Sequence, residues 1–284
     1  MSIALQDTTI DIPLGRLHAL RGGREGAPKV LALHGWLDNA ASFVPLAAHL
    51  DDIELVALDL PGHGRSAHLP AGGHYTFEVA VHHVLDVADA LGWQRFRLLG
   101  HSMGAGIASL VAAAAPERID RLVCIEALGG LSDTPDHTAQ RMRESVAAAR
   151  SLADKPMRVF ASPEPAIHAR MRANQMSEPV ARLIVERGIR PAPGGWAWSS
   201  DQRLTVPTFV RPVDAQIENV VSGIECPTRV IFADPAQPYL PDDIRRRYAA
   251  NLPDGALIVM PGTHHLHMET PAAVAQAIGG FLAD

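Results

Sequence analysis

A serine between two glycines, in Gly100-His101-Ser102-Met103-Gly104, is the stretch of this chain whose residue types most directly suggest chemistry. An apolar run, Phe96 to Leu99, leads into it, and a small-residue helix start (Ala105, Gly106, Ala108) follows. In that strand–turn–helix setting a G-x-S-x-G serine stands on a sharp turn with its hydroxyl lifted above the sheet. The turn drives the backbone toward positive φ and crowds its surroundings, and Gly100 and Gly104 leave the room it needs. The N–H of Met103, at the helix start, is placed to stabilise an oxyanion. Such a serine can be acylated if a base takes its proton, an acid orients that base and donors receive the developing negative charge.

The base belongs late in the chain, because folds with this elbow run in the order serine, acid, histidine. Gly262-Thr263-His264-His265-Leu266-His267-Met268-Glu269-Thr270-Pro271 follows the last apolar run and offers three histidines. A metal site is the competing use of such a cluster. No H-x-x-x-H with an acidic partner is present, so no metal or other cofactor is assigned. Two carboxylates satisfy the chain order. Glu126 ends the strand after the elbow helix, and Asp234 ends a later strand next to Pro235, which restricts its backbone to extended geometry. Order alone does not choose between them; the longer arm of a glutamate, reaching across toward the elbow, favours Glu126.

The elements that must position these groups alternate. Ile3–Leu5 and Gly15–Leu20 read as a short antiparallel pair at a sheet edge. Lys29–Leu33 and Leu55–Leu58 are nearly continuous apolar strands, as expected where helices cover both faces. A helix over Phe77–Leu91 stops at Gly92, the elbow strand and its helix to about Ala115 follow, and Arg121–Glu126 is another strand. This succession marks a mostly parallel sheet. From Gly129 to Gly223 the pattern is helical only, with starts at Asp136, at Ser162-Pro163-Glu164, at Ser177-Glu178-Pro179 and at Val213. Strands resume at Thr228–Ala233 and Ala256–Met260, each followed by a helix. The expected organisation is a core of residues 1–128 and 224–284 with a helical lid, 129–223, inserted into it.

Composition narrows the function classes. With 284 residues, 47% of them hydrophobic and 20% charged, the chain can bury a sizeable core. A net charge of -6 gives no electrostatic support to nucleic-acid binding. Cys124 and Cys226 sit in apolar runs and make no disulfide framework. The stretch Met1–Asp7 lacks the basic and apolar regions of a signal peptide, and no run is long enough to span a membrane. A cytoplasmic protein acting on a small molecule, without membrane or nucleic acid, is expected; oligomeric state is not readable.

Four motifs together, H-G-W-L-D-N at 34–39, D-L-P-G-H-G-R-S at 59–66, G-H-S-M-G at 100–104 and the terminal histidine cluster, resemble the α/β-hydrolase superfamily and within it the serine hydrolase-like group. The resemblance implies a mostly parallel eight-stranded sheet flanked by helices, with an inserted lid. It implies a terminal motif G-x-H-x-x-x-x-E-x-P, whose Glu269 and Pro271 put the base at His264, with His265 one register away. It implies an oxyanion hole from the N–H groups of Met103 and of Trp36, after the His34-Gly35 pair, and a loop-organising role for His63. The acid departs from the pattern: the usual G-x-x-D position is Ala236, whereas haloalkane dehalogenases carry an acid where Glu126 stands. His34, Leu128, Trp196 and Trp198 are the candidate pocket residues, and Phe209 a further one in the lid. The activity implied is serine hydrolysis of a carboxylic ester or related acyl compound, with carbon–carbon bond hydrolysis, acyl transfer or a non-catalytic binding protein as alternatives.

Overall fold

The computed structural model describes residues 3–152 and 155–284; Met1 and Ser2, part of the N-terminal stretch read above, lie outside them. An edge hairpin comes first, β1 (Gln6–Ile12) and β2 (Gly15–Gly23), paired antiparallel about Pro13 and Leu14. The first strand starts at Gln6, past the Ile3–Leu5 expected, because the stretch that alternates toward buried Ile10 and Ile12 is the one whose apolar side faces the core. β3 (Lys29–Leu33), α1 (Val44–Ala47), β4 (Glu54–Leu58), α2 (Phe77–Ala90), β5 (Phe96–His101), α3 (Met103–Ala114) and β6 (Ile119–Ile125) follow. Next come α4 (Thr138–Leu152), β7 (Val159–Phe160), α5 (Glu164–Asn174), α6 (Glu178–Gly188), β8 (Ile189–Ala192), β9 (Gly195–Trp198) and α7 (Asp214–Ser222). β10 (Thr228–Asp234), α8 (Asp242–Ala249), β11 (Gly255–Pro261), α9 (Leu266–Glu269) and α10 (Pro271–Ile278) complete the chain.

The eight-stranded sheet runs β1-β2-β4-β3-β5-β6-β10-β11, parallel from β4 to β11. Its central strands bury nearly every residue because both faces are covered. Leu31 and Leu33 of β3 pack in one core with Val84 of α2 and Val111 of α3. Val30 and Ala32 point the other way, into a second core with Leu46 of α1 and Ile278 of α10. The parallel strands all end at one edge, and the loops leaving β3, β4, β5, β6 and β11 converge there.

Between β6 and β10 the structure departs from the helices-only reading. β7, β9 and β8 form a three-stranded antiparallel sheet beside α4–α7. These strands are too short, and too interrupted by Pro191, Gly194 and Gly195, to show an alternating pattern in the sequence. Ile167, Ala181, Ile184 and Phe160 build a local core there. Two buried polar ties fasten α6 to the sheet. Asn39 Nδ2 donates to the Ile184 carbonyl at 2.8 Å, and Arg187 Nε meets Asp59 Oδ1 at 3.0 Å. Among the described residues no helix is long and apolar enough to cross a membrane.

Candidate active site

Ser102 joins β5 to α3 at φ 50°, ψ −117°, a backbone region that side chains rarely adopt. Its N–H donates to the Ile125 carbonyl of β6 at 2.8 Å, which pins the turn to the sheet. The flanking glycines are required by space. A Cβ on Gly100 would lie 2.4 Å from Ala105 Cα, and one on Gly104 2.0 Å from the Leu33 carbonyl oxygen.

A hydrogen-bonded chain runs from this serine across the top of the sheet. His264, in the loop leaving β11, has Nε2 2.9 Å from Ser102 Oγ and Nδ1 2.9 Å from Glu126 Oε2. A carboxylate only accepts, so Nδ1 carries the proton and Nε2 offers a lone pair to the serine hydroxyl. β10 lies between β6, which Glu126 follows, and β11, whose following loop holds His264, so the carboxylate must reach across a strand. The glutamate does so, and its Oε1 rests on the Ala233 N–H of β10 at 2.5 Å. Glu126 is buried at positive φ (61°). The buried Arg245 guanidinium stands 3.9 Å from Oε1, held by the Leu240 and Ala233 carbonyls at 2.8 and 2.7 Å. It supplies a positive charge near a carboxylate that has left water.

Asp234 is not part of this chain. It is exposed at the end of β10, level with Pro261, and does not line the cavity beside Ser102. Sequence reading missed Tyr239, whose hydroxyl lies 3.4 Å from His264 Nδ1, and Arg245, since neither belongs to a motif. Trp36 and Met103 line the cavity, and among the described residues neither backbone N–H has a hydrogen-bond partner. The Trp36 indole N–H donates to the Leu204 carbonyl at 2.8 Å, while about half of the residue stays exposed.

The other histidines differ in kind from His264. His265 Nε2 lies 3.3 Å from Asp38 Oδ2, away from the serine, and burial pushes its pKa down to about 3. His101 donates from Nε2 to the His264 carbonyl at 2.8 Å, and burial holds it well below the usual histidine range. His267, its ring tilted against that of His101 with centroids 4.0 Å apart, is depressed for the same reason. His63 lines the cavity and donates from Nδ1 to the Pro61 carbonyl at 3.1 Å, with burial pushing its pKa to about 3.

Four candidate pocket residues lie elsewhere. His34 is fully buried, accepts the Leu60 N–H on Nε2 at 3.0 Å and donates from Nδ1 to Gly35 at 2.8 Å; it ties two loops together. Leu128 is in the main core. Trp198 packs edge-on to Phe160 at 5.9 Å, and Trp196 sits in β9 opposite Phe160; neither reaches the cavity. Phe209 is exposed and also outside the lining. The cavity, about 610 Å³, is instead walled by Leu69, Phe77, Val79, Leu131, Leu204 and Val206. The last two come from a single 3-10 turn, Gln202–Thr205, and the residue after it, too short to carry a periodic signal.

Three comparisons bear on this arrangement. A family model for the alpha/beta hydrolase fold matches residues 28–269. A serine hydrolase-like protein of Dictyostelium discoideum is 32% identical over 92% of this chain and 76% of its own length. One of Danio rerio is 28% identical over 99% and 90%. The crystal structure of a hypothetical protein from Pseudomonas aeruginosa PAO1 is 40% identical with a TM-score of 0.92, covering 98% of this chain and all of that one.

Proposed function

The chain belongs to the α/β-hydrolase family, in its serine hydrolase-like group, and from that premise we propose that it cleaves carboxylic esters through an acyl-enzyme formed on Ser102. The reading rests on one observation, the chain of 2.9 Å contacts from Ser102 Oγ through His264 to Glu126. As Ser102 Oγ attacks the ester carbonyl carbon, His264 Nε2 takes its proton, and Glu126 stabilises the resulting imidazolium. The Trp36 and Met103 N–H groups receive the oxyanion. Collapse expels the alcohol, protonated by His264. Water then attacks the acyl-enzyme, His264 takes its proton, and the carboxylic acid leaves as Ser102 is restored.

The segment 129–223 acts as a lid in this reading, closing the cavity over the serine through Leu131, Leu204 and Val206. A volume of about 610 Å³ with these walls suits an ester whose acyl or alcohol part is apolar and of moderate size. Turnover of p-nitrophenyl esters of graded acyl length tests it. A maximum at intermediate length, lost in Ser102→Ala, is expected; no turnover at any length, or turnover surviving Ser102→Ala, overturns it.

A further inference from the structure

The cavity does not end at Ser102. Past it lie Asp38, His101 and His265, all buried and all bordering the cavity that opens on the serine. Their donor atoms, one carboxylate oxygen and two imidazole nitrogens, lie within 4.8 Å of one another. Asp38 Oδ2 is 3.3 Å from His265 Nε2 and 3.8 Å from His101 Nδ1. Ligands of a tetrahedral zinc ion at bond lengths of about 2.0–2.1 Å sit about 3.3 Å apart, so modest side-chain adjustment brings all three onto one ion.

Two details distinguish this from an ordinary buried polar contact. His101 gives its Nε2 proton to the His264 carbonyl, which leaves a lone pair on Nδ1, and that buried nitrogen has no hydrogen-bond partner. Fixing one ring nitrogen by a backbone carbonyl so that the other is free is how metal-binding histidines are oriented. Gly35 also faces the group, and a Cβ there would lie 2.9 Å from His101 Nδ1 and 3.0 Å from Asp38 Oδ2. The glycine keeps the space between the donors open.

We propose that Asp38, His101 and His265 form a binding site for a divalent transition-metal ion of the zinc type, and that occupancy inhibits the hydrolase. Nitrogen and carboxylate donors in this number suit such ions rather than calcium or magnesium. Arg170 is bound to the other Asp38 oxygen, Oδ1, and burial lowers its pKa to about 10. Its positive charge opposes the ion, so the site holds metal reversibly rather than as a structural centre. Inhibition follows from position. The rings of His101 and His265 lie 4.9 and 5.2 Å from that of His264. His101 is also bonded to the His264 carbonyl, so drawing these rings onto an ion shifts the loop that holds His264 Nε2 2.9 Å from Ser102 Oγ. This last step rests on the proposed hydrolase mechanism; the binding site does not.

The test is titration of the full chain with Zn²⁺ by calorimetry and with Co²⁺ by visible absorption, alongside ester turnover. One equivalent is expected, with tetrahedral Co²⁺ bands and a fall in kcat that a chelator reverses. His265→Gln should weaken binding at least about tenfold, Arg170→Gln should strengthen it, and His264→Gln should leave it in place. Anomalous scattering from a Zn²⁺-soaked crystal of the parent protein locates the ion without any variant. Absence of binding, or an ion that needs His264 and ignores His265, overturns the site. If metal binds here but no ester is turned over, the hydrolase reading fails and the site stands.

Discussion

At the residue scale, a glutamate at 126 rather than an aspartate follows from the sheet order. The proposed acid follows β6, the proposed base hangs from the loop after β11, and β10 lies between them. Glu126 spans that gap and gains the Ala233 N–H on the way. Replacing it by glutamine keeps the shape but removes the charge that stabilises the imidazolium. A kcat loss of at least about 10²-fold is expected for Glu126→Gln, against less than about tenfold for Asp234→Asn. Steady-state kinetics on one ester distinguishes them, and a larger loss at Asp234 would contradict this assignment of the acid. His264→Ala should lose activity about as severely as loss of the serine, because the groups act as a unit. His265→Ala should be far milder in kcat, since its Nε2 faces Asp38. The elbow and the histidine loop were legible in the sequence because their spacing is local. Tyr239 and Arg245 were not, because only the fold brings them to the site, and Asp38 stands in a motif that gives no sign of its contact with His265.

At the element scale, the helix and strand pattern of the core was readable because its strands are buried end to end and its helices are periodic. In 129–223 the sequence shows only helical pattern because β7, β8 and β9 are two to four residues long. Ser177 illustrates how a local signal is diverted: placed to cap α6, its hydroxyl instead donates to Glu269 at 2.9 Å, joining α6 to α9, which follows the loop of His264. What docks α6 could not be read at all. Arg187 sits between Asp59, fully buried, and Asp7, at 3.0 and 2.6 Å. Arg187→Ala strands the Asp59 carboxylate in the core, at an expected cost of about 3–5 kcal/mol. Urea unfolding of parent and variant measures it; an unchanged midpoint would mean that this pair does not hold the segment to the sheet.

At the scale of the whole molecule, a group of neutral histidines is folded into the interior around one edge of the sheet. Burial lowers His34 from 6.5 to about 4, and His63 and His265 from 6.5 to about 3. His101 and His267 are depressed well below 6.5 by the same cause. Below pH about 6.5 the unfolded chain takes up protons that the folded chain refuses. The contribution of each histidine is therefore complete above that pH and is lost as pH falls toward its folded value, by roughly 1.4 kcal/mol per unit. With several acting together, Tm should be flat from pH 7 to 8 and fall steeply between pH 6 and 4. A Tm unchanged down to pH 4.5 would show that these rings are not buried neutral. Composition gave nucleic-acid binding no electrostatic support and carried no trace of this group, because a histidine's burial depends on packing.

Covalent capture of Ser102 tests the central claim most directly. Incubation with a fluorophosphonate, followed by intact-mass and peptide mapping, should give one adduct, on Ser102, absent in Ser102→Ala and formed far more slowly in His264→Ala. A protein that turns over esters yet remains unlabelled, or is labelled elsewhere, would contradict it.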